Sequence, residues 1–495
     1  MTDNPQMSPP GAPPPQIQPR PIPLERIRLA EDGAPRWLLW FCVAVAVLLA
    51  WATVRDRIGL GTTVGGLAVL AVALWRTRRS LPIQRGALAL VTAALWTVPT
   101  WRDAGWVVAL TILAAVFSTW FVVAMPTRLS SLPILMLKPL LEIPAGAEWA
   151  GSRTRRVDRD VAVRVVRAVL LSIGLAVLFG GLFAAADPAF GEVVIWLIDG
   201  VSLLSLGRLL AAGMLLAIIL GLVHWAGAKP NVDGTWPKRP APVGRLDWLL
   251  PLTVVNAVFA LFIVLQARTL FGGEDYVMDT AGLTYAQHAR SGFWQLSIIS
   301  VLSLAVIAVA AWRAPRTTGN DRWVLRIALG ALSLMSLVVV ASALSRMDLY
   351  SQAYGLTRLR VWVFAVEVWL GVLFCLVLFC GIRLRAGWLA RAAVGTGAAV
   401  IVALAAINPE ALIARQNLER FETTGDMDYY YLAGLSPDAV AEVAEQLDGH
   451  KRDCLINRIL AELDTEDDLL AWNSARAAAL EQMRDSPSEH CSLRG

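Results

Sequence analysis

The chain has 495 residues, of which 56% are hydrophobic and only 17% charged, and its net charge is +5. Soluble globular proteins carry about 25% charged residues, and their surfaces do not expose long apolar runs. The composition therefore excludes a soluble protein and predicts an all-α, polytopic transmembrane helix bundle. Most of the positive charge belongs to arginines between apolar runs, so it gives no support for nucleic-acid binding.

Eleven apolar runs of about 17 to 25 residues each have the length that a helix needs to cross a bilayer. The third run is the shortest and contains Pro99. The predicted spans are 37–54, 58–75, 86–101, 104–125, 165–186, 209–226, 248–270, 291–312, 323–344, 361–381 and 389–407. The chain is thus predicted to cross the membrane about eleven times.

The orientation follows from the Lys and Arg residues of the short connections, which are retained on the cytoplasmic side. With the N-terminus inside, the inner connections hold 23 Lys and Arg residues and the outer ones hold 7. This bias predicts a multi-pass protein of the bacterial cytoplasmic membrane, with the N-terminus in the cytoplasm and the C-terminus outside it.

Composition also divides the chain into five parts. Residues 408–495 contain 18 acidic and 8 basic residues, a net charge of −10, so the part before them carries +15. The predicted parts are a disordered, proline-rich cytoplasmic extension (1–36), four spans (37–125), a cytoplasmic interfacial connection (126–160), a transmembrane core (161–407) and an acidic helical extracytoplasmic tail (408–495). The basic inner connections are expected to contact anionic lipid.

Two of the five cysteines, Cys454 and Cys491, lie in the tail. Outside the cytoplasm such a pair can form a disulfide. The alternative is two unpaired thiols in a cytoplasmic tail, and this requires an even number of spans.

Three segments carry a resemblance to a known family: ADPAFG (186–191), LTYAQHARSGFWQL (283–296) and YGLTRLR (354–360). They resemble the recurrent segments of a bacterial multi-span membrane family catalogued as domain of unknown function forty-one seventy-three, or a close relative of it. The similarity covers about 161–440, and it includes the start of the tail. It implies relatives without an established activity.

On the predicted topology these three segments converge on the outer side, where a tyrosine- and arginine-rich loop (346–360) precedes the tenth span. Tyrosine and arginine also anchor membrane proteins at the interface, so anchoring is the alternative role. The candidate polar site consists of Asp187, Arg208, Tyr285, His288, Arg290, Asp348, Tyr354, Arg360 and Glu367.

Glu367 is the main candidate, because a carboxylate inside a span costs several kcal/mol and normally faces a partner or a cavity. Arg360 lies seven residues before it, on the same helical face. One interpretation is an ion path from the outer loops into the bundle. The other is a structural ion pair between helices, for example with Arg208.

No catalytic motif is recognisable, and the four scattered histidines do not indicate a metal or haem site, so neither cofactor nor metal is predicted. The first hypothesis is a non-enzymatic membrane protein that binds or conducts a small solute, ion or lipid through an outward-facing polar site. The second is a scaffold or sensor whose outer loops and tail bind a protein or an envelope polymer. The third is a membrane enzyme acting on a lipid-linked substrate.

Overall fold

The structure, a computed structural model, describes residues 33–54, 57–77, 82–152, 203–228, 232–233, 243–271, 293–384, 386–461 and 468–484, with single residues 172, 175, 179 and 463. These residues form helices and no strands, as the all-α prediction requires. Nine of the described helices are long and apolar enough to cross a membrane. The predicted fifth span (165–186) lies outside the described residues, apart from three single positions.

The first group of helices surrounds a core built on Trp120, Phe121 and Leu38. Its long members are α1 (Arg36–Thr53), α2 (Leu60–Thr77), α3 (Ile83–Thr97), α4 (Gly105–Ala124) and α7 (Leu203–Gly227). Two short helices, α5 (Leu132–Leu141) and α6 (Ile143–Gly151), form the connection after α4. They are too short to span, and α6 packs on α7.

The second group is α8 (Arg245–Phe271), α9 (Phe293–Arg313), α10 (Gly319–Tyr354) and α11 (Arg358–Arg383). It surrounds a separate core that contains Phe374, Leu325 and Leu332. The last long helix, α12 (Leu389–Ala406), packs on α11 and also on α3 and α4. It therefore joins the two groups.

Two predicted boundaries differ from the structure. The third run forms a helix of only 15 residues, followed by a 3-10 turn over Val98–Thr100 that includes Pro99. The run 346–360 is not one loop, because α10 continues to Tyr354 and only residues 355–357 connect it to α11. Residues 346–354 contain no glycine or proline, and the helix ends at Gly355, whose φ is 77°.

The tail begins at Asn408, whose side chain accepts a hydrogen bond from the Ala411 N–H. The next residue, Pro409, occupies the first helical position, which favours proline. It contains α13 (Pro409–Thr424), α14 (Tyr429–Ala433), α15 (Val440–Gln446), α16 (Gly449–Ile459) and α17 (Ser474–Arg484). These helices share a core that includes Ile413, Val440 and Leu455. The predicted helical C-terminal region is confirmed.

The helices define two ends of the bundle. The tail face carries residues 57–59, 98–104 and 355–357 together with the tail, which bonds to all three connections. The opposite face carries the start of α1, where the Ala34 N–H contacts the Trp149 carbonyl, and the turn after α4. The first described residues and the tail thus lie at opposite ends of the bundle.

Candidate functional site

The tail is fixed to the tail face by two buried carboxylates. Glu410 at the start of α13 is fully buried and pairs with Arg358 at the start of α11, with Nη2 to Oε2 at 2.8 Å. The same carboxylate accepts hydrogen bonds from the Trp106 indole at 2.8 Å and from the Ser436 N–H at 2.7 Å. One acid of the tail therefore links α4, α11 and the turn before α15.

The second carboxylate, Asp438, caps the connection before α4. It accepts hydrogen bonds from the N–H groups of Asp103 and Ala104 at 2.8 and 2.7 Å, and Arg102 lies 3.7 Å away. Burial raises the pKa of Asp438 to about 6, although these N–H groups and Arg102 favour its charged form. The docked position of the tail therefore depends on a carboxyl group that titrates near neutral pH.

A third attachment is made at the start of α17. Asn473 donates to the carbonyls of Pro99 and Arg102, both at 2.9 Å, and Arg476 forms an ion pair with Asp103. The backbone of Trp472 also accepts a hydrogen bond from the Leu60 N–H at 2.9 Å. The tail is thus bonded to three separate connections of the bundle.

Four of the nine predicted site residues lie outside the described part of the chain: Asp187, Tyr285, His288 and Arg290. Arg208 donates to the Val54 carbonyl at 3.3 Å and lies over the Trp51 ring. The structure therefore assigns Arg208 to packing between α1 and α7 rather than to a contact with Glu367.

Arg360 and its neighbours lie where α10 meets α11. The Arg360 guanidinium lies 4.1 Å from the centre of the Tyr350 ring and donates to the Gly355 carbonyl. Tyr350 also stacks against Tyr354, with ring centres 5.0 Å apart. Asp348 accepts a hydrogen bond from Gln352. Tyr350, Tyr354 and Arg360 thus form one local cluster, which joins the last turns of α10 to the first turn of α11, whereas Asp348 contacts its own helix.

Glu367 is 1% exposed and lies in α11 beside the apolar contact between α9, α10 and α11. The Ser297 hydroxyl of α9 interacts with its carboxyl group, but neither oxygen forms a hydrogen bond of normal geometry with the described residues. No ion pair joins it to a described arginine or lysine. The predicted ion pair with Arg208 is absent among these contacts.

The bundle contains an intramembrane cavity of about 2080 Å³ between the two helix groups. It is lined by one side of α4, α9, α10, α11 and α12, and most of the lining is apolar, including Phe117, Leu304 and Leu373. Glu367 is not among the lining residues. Sequence reasoning did not identify this cavity, because no single helix shows which face lacks a neighbour.

One end of the intramembrane cavity is basic and lies at the opposite face. Arg128, Arg316 and Arg326 line this end, with Asp233 as the acidic residue beside them. Asp233 accepts hydrogen bonds from the Thr127 hydroxyl at 2.6 Å and from Ser131 at 2.9 Å. Burial opposes ionisation, but these bonds outweigh it and hold the pKa of Asp233 below its ordinary value. The carboxylate thereby orders the turn that carries Arg128.

The family model described as Domain of unknown function (DUF4153) matches residues 63–446, more than three quarters of the chain. The chain belongs to this family. DUF4153 is a relative of the family that the sequence segments resemble, and the match begins about 100 residues earlier, so it includes the second to fourth spans. No curated protein and no solved structure matches the chain. Together with the apolar helices, membership identifies a multi-pass integral membrane protein.

Sequence reasoning also did not identify Glu410 and Asp438 as docking residues. Both lie in an acidic tail, where a carboxylate is ordinarily solvated. Each sits beside a proline that begins a helix or a 3-10 turn, Pro409 and Pro437. That position was the available signal, since an acid in the first turn of a helix is stabilised by the helix dipole.

Proposed function

We propose that this DUF4153 protein is a non-enzymatic protein of the bacterial cytoplasmic membrane that binds an anionic phospholipid in the intramembrane cavity. The observation that carries the proposal is the cavity itself, an apolar space that ends in three arginines. Lipid is favoured over a solute that enters from the tail face, because the docked tail bonds to the connections at that end.

The dimensions of the cavity support a lipid. Sites for drug-sized molecules have volumes of about 300–1,000 Å³, so a volume of about 2080 Å³ suits a larger ligand. The lining of α11 extends from Trp369 to Leu384, which is about 22 Å at 1.5 Å per residue. This length exceeds the hydrocarbon thickness of one leaflet, which is about half of the 30 Å core, so the cavity is long enough for acyl chains.

Charge supports an anionic headgroup. Arg128 and Arg326 are exposed, so both guanidinium groups are accessible at the basic end. Arginine binds phosphate through two parallel hydrogen bonds, and a headgroup at this depth would lie near the membrane surface. The headgroup would then lie on the side of the membrane on which the Lys and Arg residues of the connections are concentrated.

The orientation is part of the proposal: the basic end faces the cytoplasm and the tail lies outside. It rests on the positive-inside bias of the connections. A second support is that Cys454 is disulfide-bonded, because disulfides persist in oxidising compartments. Cys491, its predicted partner, lies outside the described residues, so the pairing of these two cysteines stays a prediction.

The cavity test uses Gly330→Leu, because a Cβ atom at this lining residue of α10 meets no atom within 4 Å. The new side chain should occupy the cavity without disturbing the helices and lower the amount of retained phosphatidylglycerol about tenfold. Native mass spectrometry of protein purified in mild detergent measures this. The control is Gly213→Leu, equally open but on the lipid-exposed side of α7. Equal lipid retention by both variants would contradict the proposal.

The headgroup test compares two exposed arginines one turn apart on α10. Only Arg326 lines the cavity, whereas Arg322 donates to the Thr318 carbonyl near the start of the helix. Arg326→Gln should abolish the preference for phosphatidylglycerol over phosphatidylethanolamine, and Arg322→Gln should retain it. The increase in melting temperature on addition of each lipid gives the measurement. An unchanged preference in Arg326→Gln would exclude this arginine from headgroup binding.

A further inference from the structure

Glu367 is a buried acid that the lipid site does not use. It is nine residues from the start of α11, which places it about 14 Å along the helix at 1.5 Å per residue. The hydrocarbon core of a bilayer is about 30 Å thick, so this residue lies near its middle. The carboxyl group is thus far from both surfaces of the membrane.

The surroundings of Glu367 supply almost no polar contact. Val363 and Leu370, about one turn away on either side, belong to buried apolar clusters, and α9 adds Leu296 and Ile299. Neither carboxyl oxygen has a hydrogen-bond partner of normal geometry, and the Ser297 hydroxyl is the polar group that interacts with it. An ionised carboxylate in such a place costs several kcal/mol unless a cation accompanies it.

The charged groups of the packed helices do not supply that cation. The segment of α9 between Phe293 and Arg313 contains no charged residue. Arg346 of α10 lies at a similar depth, because it is nine residues before the 355–357 connection and Glu367 is ten residues after it, but no ion pair joins the two among the described contacts. Arg360 of α11 is two turns away and bonds to Gly355. Among the described contacts, these helices therefore give the carboxylate no cation.

We propose that Glu367, together with the Ser297 hydroxyl of the facing helix, forms a proton-binding site in the middle of the membrane. The proton neutralises the carboxylate where no cation of the described residues does. The buried glutamate of the tail, Glu410, is neutralised differently, because its carboxylate is paired with Arg358. This inference is independent of the lipid proposal, because Glu367 does not line the intramembrane cavity.

Dicyclohexylcarbodiimide tests the site directly. This apolar reagent enters membranes and reacts with protonated carboxyl groups, and the stable product retains the whole mass of the reagent on the side chain. In native membranes at pH 7 we expect an adduct on the peptide that contains Glu367 and none on the one that contains Glu410. The adduct should diminish as the pH rises, and Glu367→Gln should lose it. Mass spectrometry of the digested protein measures both.

Three outcomes would overturn the proposal. The first is a Glu367 that stays unlabelled at pH 6–8 in folded protein and reacts only after denaturation. The second is labelling that does not change with pH. The third is protection by Na⁺ relative to choline at equal ionic strength, because it would make the ligand a sodium ion. Glu367→Gln must keep the elution volume of the wild type in size-exclusion chromatography, so that loss of the adduct is not loss of the fold.

Ser297 has its own comparison. Ser297→Ala removes the one hydroxyl that interacts with the carboxyl group and should shift the pH midpoint of labelling. Ser303→Ala is the control, because Ser303 is a second serine of α9 that is at least as well buried as Ser297 but donates to the Ile299 carbonyl at 2.7 Å. Equal midpoints in the two variants would remove Ser297 from the site.

Discussion

Glu410 and Glu367 show how position decides the state of a buried glutamate. Both are 0–1% exposed, but Glu410 has three donors around it, Arg358, Trp106 and Ser436, whereas in the described part of the chain Glu367 interacts with Ser297. A buried carboxylate with several donors is stable as an anion. One of these two acids therefore attaches the tail, while the other is available for a proton.

Arg358→Ala should release this attachment. Removing one partner of a buried ion pair costs about 3–5 kcal/mol, and we expect about 2 kcal/mol here because the Arg358 side chain is 41% exposed. Glu410 would retain the Trp106 and Ser436 bonds but lose its counter-charge. Thermal unfolding and limited proteolysis near residue 408 measure the effect.

The comparison for Arg358→Ala is Arg415→Ala. Arg415 pairs with Glu442 inside the tail, at 2.7 Å, but its side chain is 54% exposed. Pairs at the surface contribute little to stability. Proteolysis near residue 408 should therefore be unchanged in this variant. If both variants release the tail equally, the Arg358–Glu410 pair is not the specific attachment.

At the scale of elements, docking of the tail is expected to depend on pH through Asp438. Its pKa in the docked state is about 6, above the ordinary value of 3.8, so the docked state favours the protonated form. The contribution of this group to docking is therefore complete below 3.8 and is lost as the pH rises through 6. The shift corresponds to about 3 kcal/mol between these limits.

We expect hydrogen exchange of the Asp103 and Ala104 amides, which Asp438 caps, to be better protected at pH 5 than at pH 8 after correction for intrinsic rates. Asp438→Asn cannot ionise and should make the protection independent of pH in this interval. A wild-type protein with equal protection at both values would show that the docked carboxyl group does not titrate in this range.

Among the elements, the apolar runs predicted most of the long helices, because length and hydropathy alone decide which segments can span a membrane. They did not predict the end of α10. The residues 345–354 are polar enough to resemble a loop, yet they continue the helix because tertiary contacts such as Arg360 with Tyr350 compensate for their polarity. Hydropathy identifies the apolar part of a helix and gives no information about where the helix itself ends.

At the scale of the whole molecule, the intramembrane cavity and the docking of the tail both arise from the arrangement of the two helix groups. α12 packs on α11 and on α3 and α4, and it leaves the space between α4 and α9 unfilled. No pattern within one helix encodes which helices become neighbours. The sequence thus predicted Glu367 as a buried acid, while the cavity and its arginines required the structure.

If the tail face lies outside the cell and the opposite face in the cytoplasm, residues at the two faces should differ in their access to an external reagent. Two equally exposed residues can test this. Tyr430 in the tail and Ile83 at the start of α3 are each 91% exposed, and they lie at opposite ends of the bundle. We expect Tyr430→Cys to react with a membrane-impermeant maleimide in intact cells, because the arginine bias places the tail outside. Ile83→Cys should react only after the cells are opened.

The parent protein for both variants lacks Cys42, Cys375 and Cys380, the free cysteines of the described residues, and must itself stay unlabelled. The reverse pattern would place the basic end of the cavity outside the cell, and the proposed contact between its arginines and a cytoplasmic-leaflet lipid would then be wrong.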